Sequence, residues 1–269
     1  MNNEFEIEKT EKKLGALGEL ICDMVGGLSG AALSAFFKVP ILDPLAAPMI
    51  RMGISDMFNR TMSHKQEIKM GMGVAYIGAK IHQRNTRGDK LREDNFFGGQ
   101  EVKAEGPEIL ETVLSKCKEE CREKKIRYIA NIFANSIFEK DPAEVIHLAI
   151  SIAERLTYRQ MLMLALLGKA ESLQFDRVLL NVRTDGKDIL SASLNHEGNK
   201  LSDDFGLFTN NPSFGDLVPP NFTAIGEICF RLMSLNDMPD HDSDLRDLIK
   251  DLETVDKAYR VKFPLTGAR

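Results

Sequence analysis

The residues best suited to chemistry are four cysteines and five histidines, and their spacing matches no known reaction centre. Cys117 and Cys121 stand one helical turn apart, so both thiols could face a metal ion, but two more ligands would have to come from distant histidines. Buried small hydrophobic residues are the ordinary use of such cysteines. No HxxxH or HxH pair occurs among His64, His82, His147, His196 and His241. We therefore predict neither a metal nor another cofactor.

Motifs that carry other chemistry are also missing from the sequence. There is no Walker loop, Rossmann glycine fingerprint, G-x-S-x-G elbow or zincin helix. The adjacent Asp203 and Asp204 are expected to face solvent. An acid–base pair can still assemble from residues far apart in sequence, but nothing in the sequence points to one, so we expect a protein that is not an enzyme.

The most unusual stretch lies between Leu14 and Met57, where glycine, alanine and large apolar residues crowd together with few charges. Gly26 and Gly30 stand four apart, as do Gly27 and Ala31, and this spacing lets a second helix approach closely. Two interpretations stay open. The stretch is either a core helix packed against a neighbour, or a segment that contacts a membrane or another copy of the chain.

The favourable and unfavourable contributions to the free energy of inserting this stretch into a bilayer nearly cancel. The large apolar residues from Leu14 to Phe37 contribute roughly −4 kcal/mol, whereas Asp23 alone costs about +3 kcal/mol and Glu19 adds to that cost. We therefore expect conditional membrane contact or self-association, followed by an extended or kinked connector at Pro40, Pro44 and Pro48. The residues predicted to make the contact are Glu19, Asp23, Gly26, Gly27, Gly30, Phe36 and Phe37.

A basic flank follows the apolar stretch. Between His64 and Arg92 there are seven lysines or arginines but only Glu67 and Asp89 on the acidic side. Cations beside an apolar segment attract anionic lipid headgroups by about 1 kcal/mol each. A solvated helix face is the alternative explanation. The residues assigned to this flank are Lys65, Lys69, Lys80, Arg84 and Arg87.

Bulk properties favour a cytoplasmic protein that is peripheral at the inner membrane at most. Among 269 residues, 43% are hydrophobic and 28% charged, which is normal for a chain with a buried core. The first thirteen residues carry four glutamates, unlike a secretory signal. Four scattered cysteines are too few for a disulfide framework. The net charge of −5 argues against a general nucleic-acid binder.

The pattern of elements predicts a mainly α protein, a helical bundle with a C-terminal α+β winged-helix-like region. A glycine-rich linker over 84–100 suggests three regions, 1–90, 91–170 and 171–269. A long amphipathic helix is expected from Gly106-Pro107 to Phe138, and Thr157 with Gln160 forms a capping box for a buried helix. The segment 175–190, around Asp185-Gly186, predicts a strand or short hairpin.

The last third resembles a winged helix, with the Thr157 helix first, Leu194 to Asp204 as its recognition helix and Gly206 to Phe222 as its wing. Between Ala170 and Asp240, however, five basic residues face eleven acidic ones. A DNA-binding domain needs cations to neutralise phosphates. We therefore expect this domain to bind protein, and we do not expect nucleic acid as a partner.

Two parts of the chain resemble the bacterial abortive-infection alpha-type proteins. One is the opening LGELICDMVGGLSGAALSAFFKVPILDPL, and the other is the helical block from Glu108 to Gly168. The resemblance implies a role in defence against phage, with no family active-site residues to transfer. We therefore expect an oligomer that contacts an anionic membrane surface conditionally. The alternative is a cytoplasmic scaffold or regulator that binds another protein through its acidic winged-helix-like domain.

Overall fold

The computed structural model describes residues 52, 54, 56–57, 60–97, 104–184, 186–209 and 219–263. The prediction of a mainly α protein is confirmed, because helices dominate these residues and a two-stranded sheet accompanies them. The helices are α1 (His64–Thr86), α2 (Gly106–Glu119), α3 (Glu123–Ser136), α4 (Ala143–Arg155), α5 (Tyr158–Gly168), α6 (Ala170–Leu173), α7 (Ile189–Asn199), α8 (Ala224–Leu232) and α9 (Ser243–Lys262). The strands are β1 (Phe208–Thr209) and β2 (Asn221–Phe222).

Contacts divide the chain into two compact units, one ending at Glu154 and the other beginning at Arg155. This boundary falls inside the region 91–170 that the sequence analysis treats as one domain. The proposed three-part division therefore remains a prediction, and each unit is described separately below.

The first unit is built on α1, which packs against both α2 and α3. Ser63 starts α1 with a capping box, in which its hydroxyl accepts from the Gln66 backbone N–H and the Gln66 side chain accepts from the Ser63 backbone N–H. Gly73 lets α1 approach α2 closely, since a Cβ there would lie 3.1 Å from Cβ and Sγ of Cys117. The buried side of α1 thus faces the apolar stripe of α2.

The long helix expected from Gly106 to Phe138 is two helices, and that prediction is wrong at its centre. α2 ends at Glu119, Glu120 adopts an extended backbone, and α3 begins at Glu123. A buried ion pair follows the break, with Lys125 Nζ 2.6 Å from Glu120 Oε2. Lys125 Nζ also donates to the Glu154 carbonyl at 2.9 Å, which ties the start of α3 to the end of α4.

The second unit is centred on α5, in which every residue except Arg159 and Gly168 is buried. A helix that is apolar on all sides must be surrounded, and α7, α8 and α9 all pack against it. The predicted capping box is confirmed, because the Thr157 hydroxyl accepts from the Gln160 backbone N–H at 3.1 Å and the Gln160 side chain accepts from the Thr157 N–H at 2.9 Å.

The sheet of the second unit is an antiparallel pair in which Phe208 lies opposite Phe222 and Thr209 opposite Asn221. Thr223 follows β2 and caps α8 through its hydroxyl. Gly226 then passes so close to β1 that a Cβ would lie 1.8 Å from the Leu207 carbonyl oxygen. Only glycine fits there without moving the backbone.

The strand or hairpin expected within 175–190 is not formed in the described part of that segment. Arg177–Leu180 is a turn of 3-10 helix, started by Asp176, whose carboxylate accepts from the Val178 N–H at 3.0 Å. A local side-chain cap therefore overrides the β preference of the following valine and leucines. The charged amphipathic helix α9 follows later in the unit, where the Asp242 side chain caps its start and it runs from Ser243 to Lys262.

Candidate interaction surfaces

The seven residues predicted to make the membrane or oligomer contact, Glu19, Asp23, Gly26, Gly27, Gly30, Phe36 and Phe37, lie outside the described residues. The first described residue is Met52, near the end of the stretch. Ile54 and Met57 have 1% and 2% of their surface exposed, so both are buried in the first unit. Arg60 Nη1 then lies 2.6 Å from Glu111 Oε1 on α2. The described end of the apolar stretch is therefore buried, and the ion pair of Arg60 links the residues that follow it to α2.

The predicted basic flank is divided between solvent and interior. Lys65 and Arg87 are exposed. Lys69 and Lys80 are buried, where Lys69 Nζ donates to the Glu120 carbonyl and Lys80 Nζ donates to Gln83 Oε1 at 3.0 Å. The aliphatic stems of these two lysines thus belong to the core side of α1, while their ammonium groups are satisfied within the protein.

Arg84, the fifth residue of the flank, is the centre of a polar cluster at the end of α1. Its Nε lies 2.6 Å from Asp89 Oδ2, and its Nη1 donates to Glu139 Oε1 at 2.7 Å and Asn135 Oδ1 at 3.1 Å. The guanidinium also lies 4.7 Å from the centre of the Phe138 ring. Its charge is therefore directed at the end of α3. The same guanidinium thus also engages Asp89, two residues beyond the flank's Arg87.

Arg92 forms a second polar cluster, at the end of α3. The sequence analysis did not identify this residue. Its side chain is buried, and its Nε donates to both oxygens of Asp94 at 2.7 and 2.9 Å. Nη1 donates to the carbonyls of Ser136 and Asp141 at 3.1 and 3.2 Å. The described part of the expected mobile linker is therefore held against α3. The glycines around it suggested a linker because sequence alone does not reveal contacts made more than forty residues away.

This arginine shapes the ionisation of two carboxyls. Its hydrogen bond holds the pKa of Asp94 below the ordinary value, despite an opposing effect of partial burial. Burial raises the pKa of Asp141, and the charge of Arg92 offsets part of that rise. Positive charge near the last carbonyls of a helix also complements its dipole. These contacts of Arg92 explain the fixed position of residues 92–94 as a means of stabilising the fold, without any functional role.

The cysteines lie in different environments. Cys117 is buried and its pKa is raised by burial, with the nearby Glu120 carboxylate adding to the rise. Cys121 is exposed in the break between α2 and α3. Burial raises the pKa of Cys229 to about 12. Both buried thiols therefore stay protonated at neutral pH and are poor nucleophiles. Across the described ranges, no three His, Cys, Asp or Glu side chains are grouped to hold a metal ion.

The acidic residues of the second unit are not equivalent. The segment predicted as a recognition helix, Leu194 to Asp204, is the end of α7 followed by a π-helical turn, Lys200–Asp204. Glu197 is largely shielded and lies 3.9 Å from Arg159 Nε. Asp203 and Asp204 are exposed on the π-helical turn. The exposed carboxylates of this segment therefore lie beyond α7, just before β1.

In the described part of the chain, no helix combines the length and apolar character needed to cross a bilayer. Comparison with family models, with curated proteins and with solved structures finds no match to this chain.

Proposed function

We propose that the protein is a non-enzymatic bacterial anti-phage factor whose N-terminal apolar stretch self-associates and contacts the membrane conditionally. The observation that carries this proposal is the burial of Ile54 and Met57 at the end of that stretch. In this proposal, the stretch is sheltered in one conformational state of the protein and exposed to a membrane or to another copy of the chain in a second state. The resemblance to abortive-infection alpha-type proteins supplies the biological setting, and a cytoplasmic protein peripheral at the inner membrane is the location that fits it.

The placement of the basic flank refines this proposal. Lys69, Lys80 and Arg84 make contacts within the first unit, which leaves Lys65 and Arg87 as the exposed members. Two exposed cations contribute roughly 2 kcal/mol to binding an anionic surface, compared with about 5 kcal/mol for all five. The electrostatic attraction of this flank to an anionic membrane is therefore weak. In the proposed function, close helix packing at Gly26 and Gly30 contributes more than this attraction.

The test replaces Gly26 and Gly30 with isoleucine, which would block close helix approach. The matched control replaces Gly15 and Gly18 with isoleucine, because these glycines lie in the same segment but outside the four-residue spacing. We expect Gly26→Ile with Gly30→Ile to abolish growth arrest and to lower the mass measured by analytical ultracentrifugation, while the control retains both. If both double variants behave like the parent protein, the proposal is wrong.

A second candidate function is a scaffold or regulator that binds protein through the acidic region of the second unit. It is supported by the order α5, α6, α7, β1, β2, α8, in which a pair of strands follows three helices, and by the exposed Asp203 and Asp204. For this function, Asp203→Lys with Asp204→Lys should abolish the phenotype, whereas the isoleucine variants at Gly26 and Gly30 should leave it intact. The reverse pattern supports the first proposal. Salt-sensitive binding of duplex DNA would contradict both.

A further inference from the structure

The C-terminal end of α9 projects beyond the packed part of its helix. Upstream, Leu245, Leu248, Leu252 and Val255 are buried and face the second unit. From residue 260 to residue 263, every position is exposed. Arg260, Val261 and Lys262 are the last three residues of α9 and Phe263 is its C-cap, so the end of the helix is exposed to solvent.

The projecting end combines cations with apolar side chains. The sequence from 257 to 263 is KAYRVKF, which has three cations and no carboxylate. Val261 is 84% exposed and Phe263 is 45% exposed. The Phe263 ring packs on Tyr259 with centroids 4.9 Å apart, and Lys262 Nζ lies 6.0 Å from the Phe263 centroid. The apolar groups are therefore presented together with positive charge.

A further cation and one ion pair lie beside this end of the helix. Arg183 lies over the Tyr259 ring, with its guanidinium carbon 5.7 Å from the centroid, and so adds a fourth cation. Asp256 on the same helix pairs with Arg260, with its Oδ2 2.6 Å from Arg260 Nε. Lysines and arginines at a helix C-terminus complement its dipole, but this explanation does not account for two apolar side chains held in water.

We propose that the end of α9, with Lys257, Lys262, Val261 and Phe263, is a docking surface for an anionic lipid bilayer. The cations would meet the headgroups while Val261 and Phe263 enter the boundary between headgroups and acyl chains. This adds a second contact to the proposed function and rests on that function for its biological setting. The surface is formed without the apolar N-terminal stretch, so the two contacts can fail separately.

The experiment measures co-sedimentation of the full-length protein with vesicles of neutral phosphatidylcholine, with and without about a third of phosphatidylserine. Each cation near the surface contributes about 1 kcal/mol, which is about fivefold in the partition coefficient. We therefore expect Lys257→Gln with Lys262→Gln to lower binding to anionic vesicles about 25-fold. The control, Lys200→Gln with Lys250→Gln, removes two exposed cations from other positions of the same unit and should change binding less than threefold.

The apolar contribution is tested by Phe263→Asp, with Leu148→Asp on α4 as its control. The two side chains are matched in exposure, at 45% and 44%, so neither change should unfold the protein. Binding that is lost for Phe263→Asp and kept for Leu148→Asp supports the surface. Equal binding to neutral and anionic vesicles, no binding to either, or equal effects of variants and controls would each overturn it.

One further variant separates this surface from the N-terminal stretch. If Gly26→Ile with Gly30→Ile loses growth arrest but keeps salt-sensitive vesicle binding, the α9 surface acts on its own. If the same variant loses all vesicle binding while the α9 variants bind normally, the docking surface is refuted and the N-terminal proposal stands.

Discussion

Replacing Gly226 with alanine tests how α8 is fixed against the sheet of the second unit. An added Cβ would lie 1.8 Å from the Leu207 carbonyl oxygen and 2.8 Å from its carbonyl carbon. Both are backbone atoms, so relief requires α8 and β1 to move apart rather than a side chain to rotate. Overpacking of this kind costs about 3 kcal/mol.

Separation of α8 from β1 would also break hydrogen bonds at the start of the helix. The Thr223 N–H donates to the Leu207 carbonyl at 3.1 Å, and its hydroxyl donates to the Gly206 carbonyl at 2.6 Å. Each is worth about 1 kcal/mol. Alanine regains about 1 kcal/mol of helix propensity over glycine. The balance is a loss of about 4 kcal/mol in the free energy of unfolding.

Gly198 in α7 is the matched control, because the same substitution there should have the opposite sign. A Cβ at Gly198 would lie 3.4 Å from the Leu180 carbonyl oxygen, which is an ordinary contact. We expect Gly198→Ala to stabilise the protein by up to about 1 kcal/mol. Urea unfolding followed by circular dichroism measures both changes. Equal effects of the two variants, or stabilisation by Gly226→Ala, would refute the close approach of α8 to β1.

Three further predictions concern the first unit and the cysteines. Arg92→Met should lower the free energy of unfolding by about 3 kcal/mol in urea denaturation, because it removes the guanidinium that donates to the Ser136 and Asp141 carbonyls and to Asp94. The change Arg87→Met at an exposed position should alter it by less than about 0.5 kcal/mol. Since the pKa of Asp94 is lowered in the folded state, its contribution is present above the unfolded pKa of about 3.9 and is lost as the pH falls through the folded value. Asp94→Asn should therefore reduce the loss of stability measured between pH 5 and pH 2, and an unchanged acid profile would contradict this reasoning. In a Cys22→Ser background, iodoacetamide should label Cys121 in the native protein, and label Cys117 and Cys229 only after unfolding, as followed by mass spectrometry; native labelling of a buried thiol would show that its surroundings open.

Local signals were sufficient to predict several helices from sequence. Thr157 and Gln160 predicted their capping box because both partners lie within one helical turn. The apolar content of 158–168 likewise predicted a buried helix. By contrast, the break at Glu120 interrupts a stripe whose periodicity continues on either side, so hydrophobic spacing alone did not reveal it. The ion pair of Glu120 with Lys125 fixes a turn that has no glycine or proline to mark it.

Partners of charged side chains were the least predictable part of the candidate site. Arg84 and Glu139 lie fifty-five positions apart, and the carbonyl that Lys69 contacts is fifty-one positions away. A count of cations along α1 therefore does not distinguish residues that face solvent from residues that bond within the fold. Burial and pairing decide this, and they are consequences of how α1 packs on α2 and α3.

The same distinction governs where a membrane could attract the protein. On α1, the lysine ammonium groups at 69 and 80 are satisfied internally, so moving them to lipid would break hydrogen bonds and expose their buried stems. At the end of α9, Lys257 and Lys262 are exposed, and Val261 is already in water, so contact with a bilayer removes apolar surface without unfolding any helix. Sequence composition favoured the first region because its cations follow an apolar stretch. The energetic cost of using each region therefore supports the proposed docking surface at the end of α9 over the buried lysines of α1.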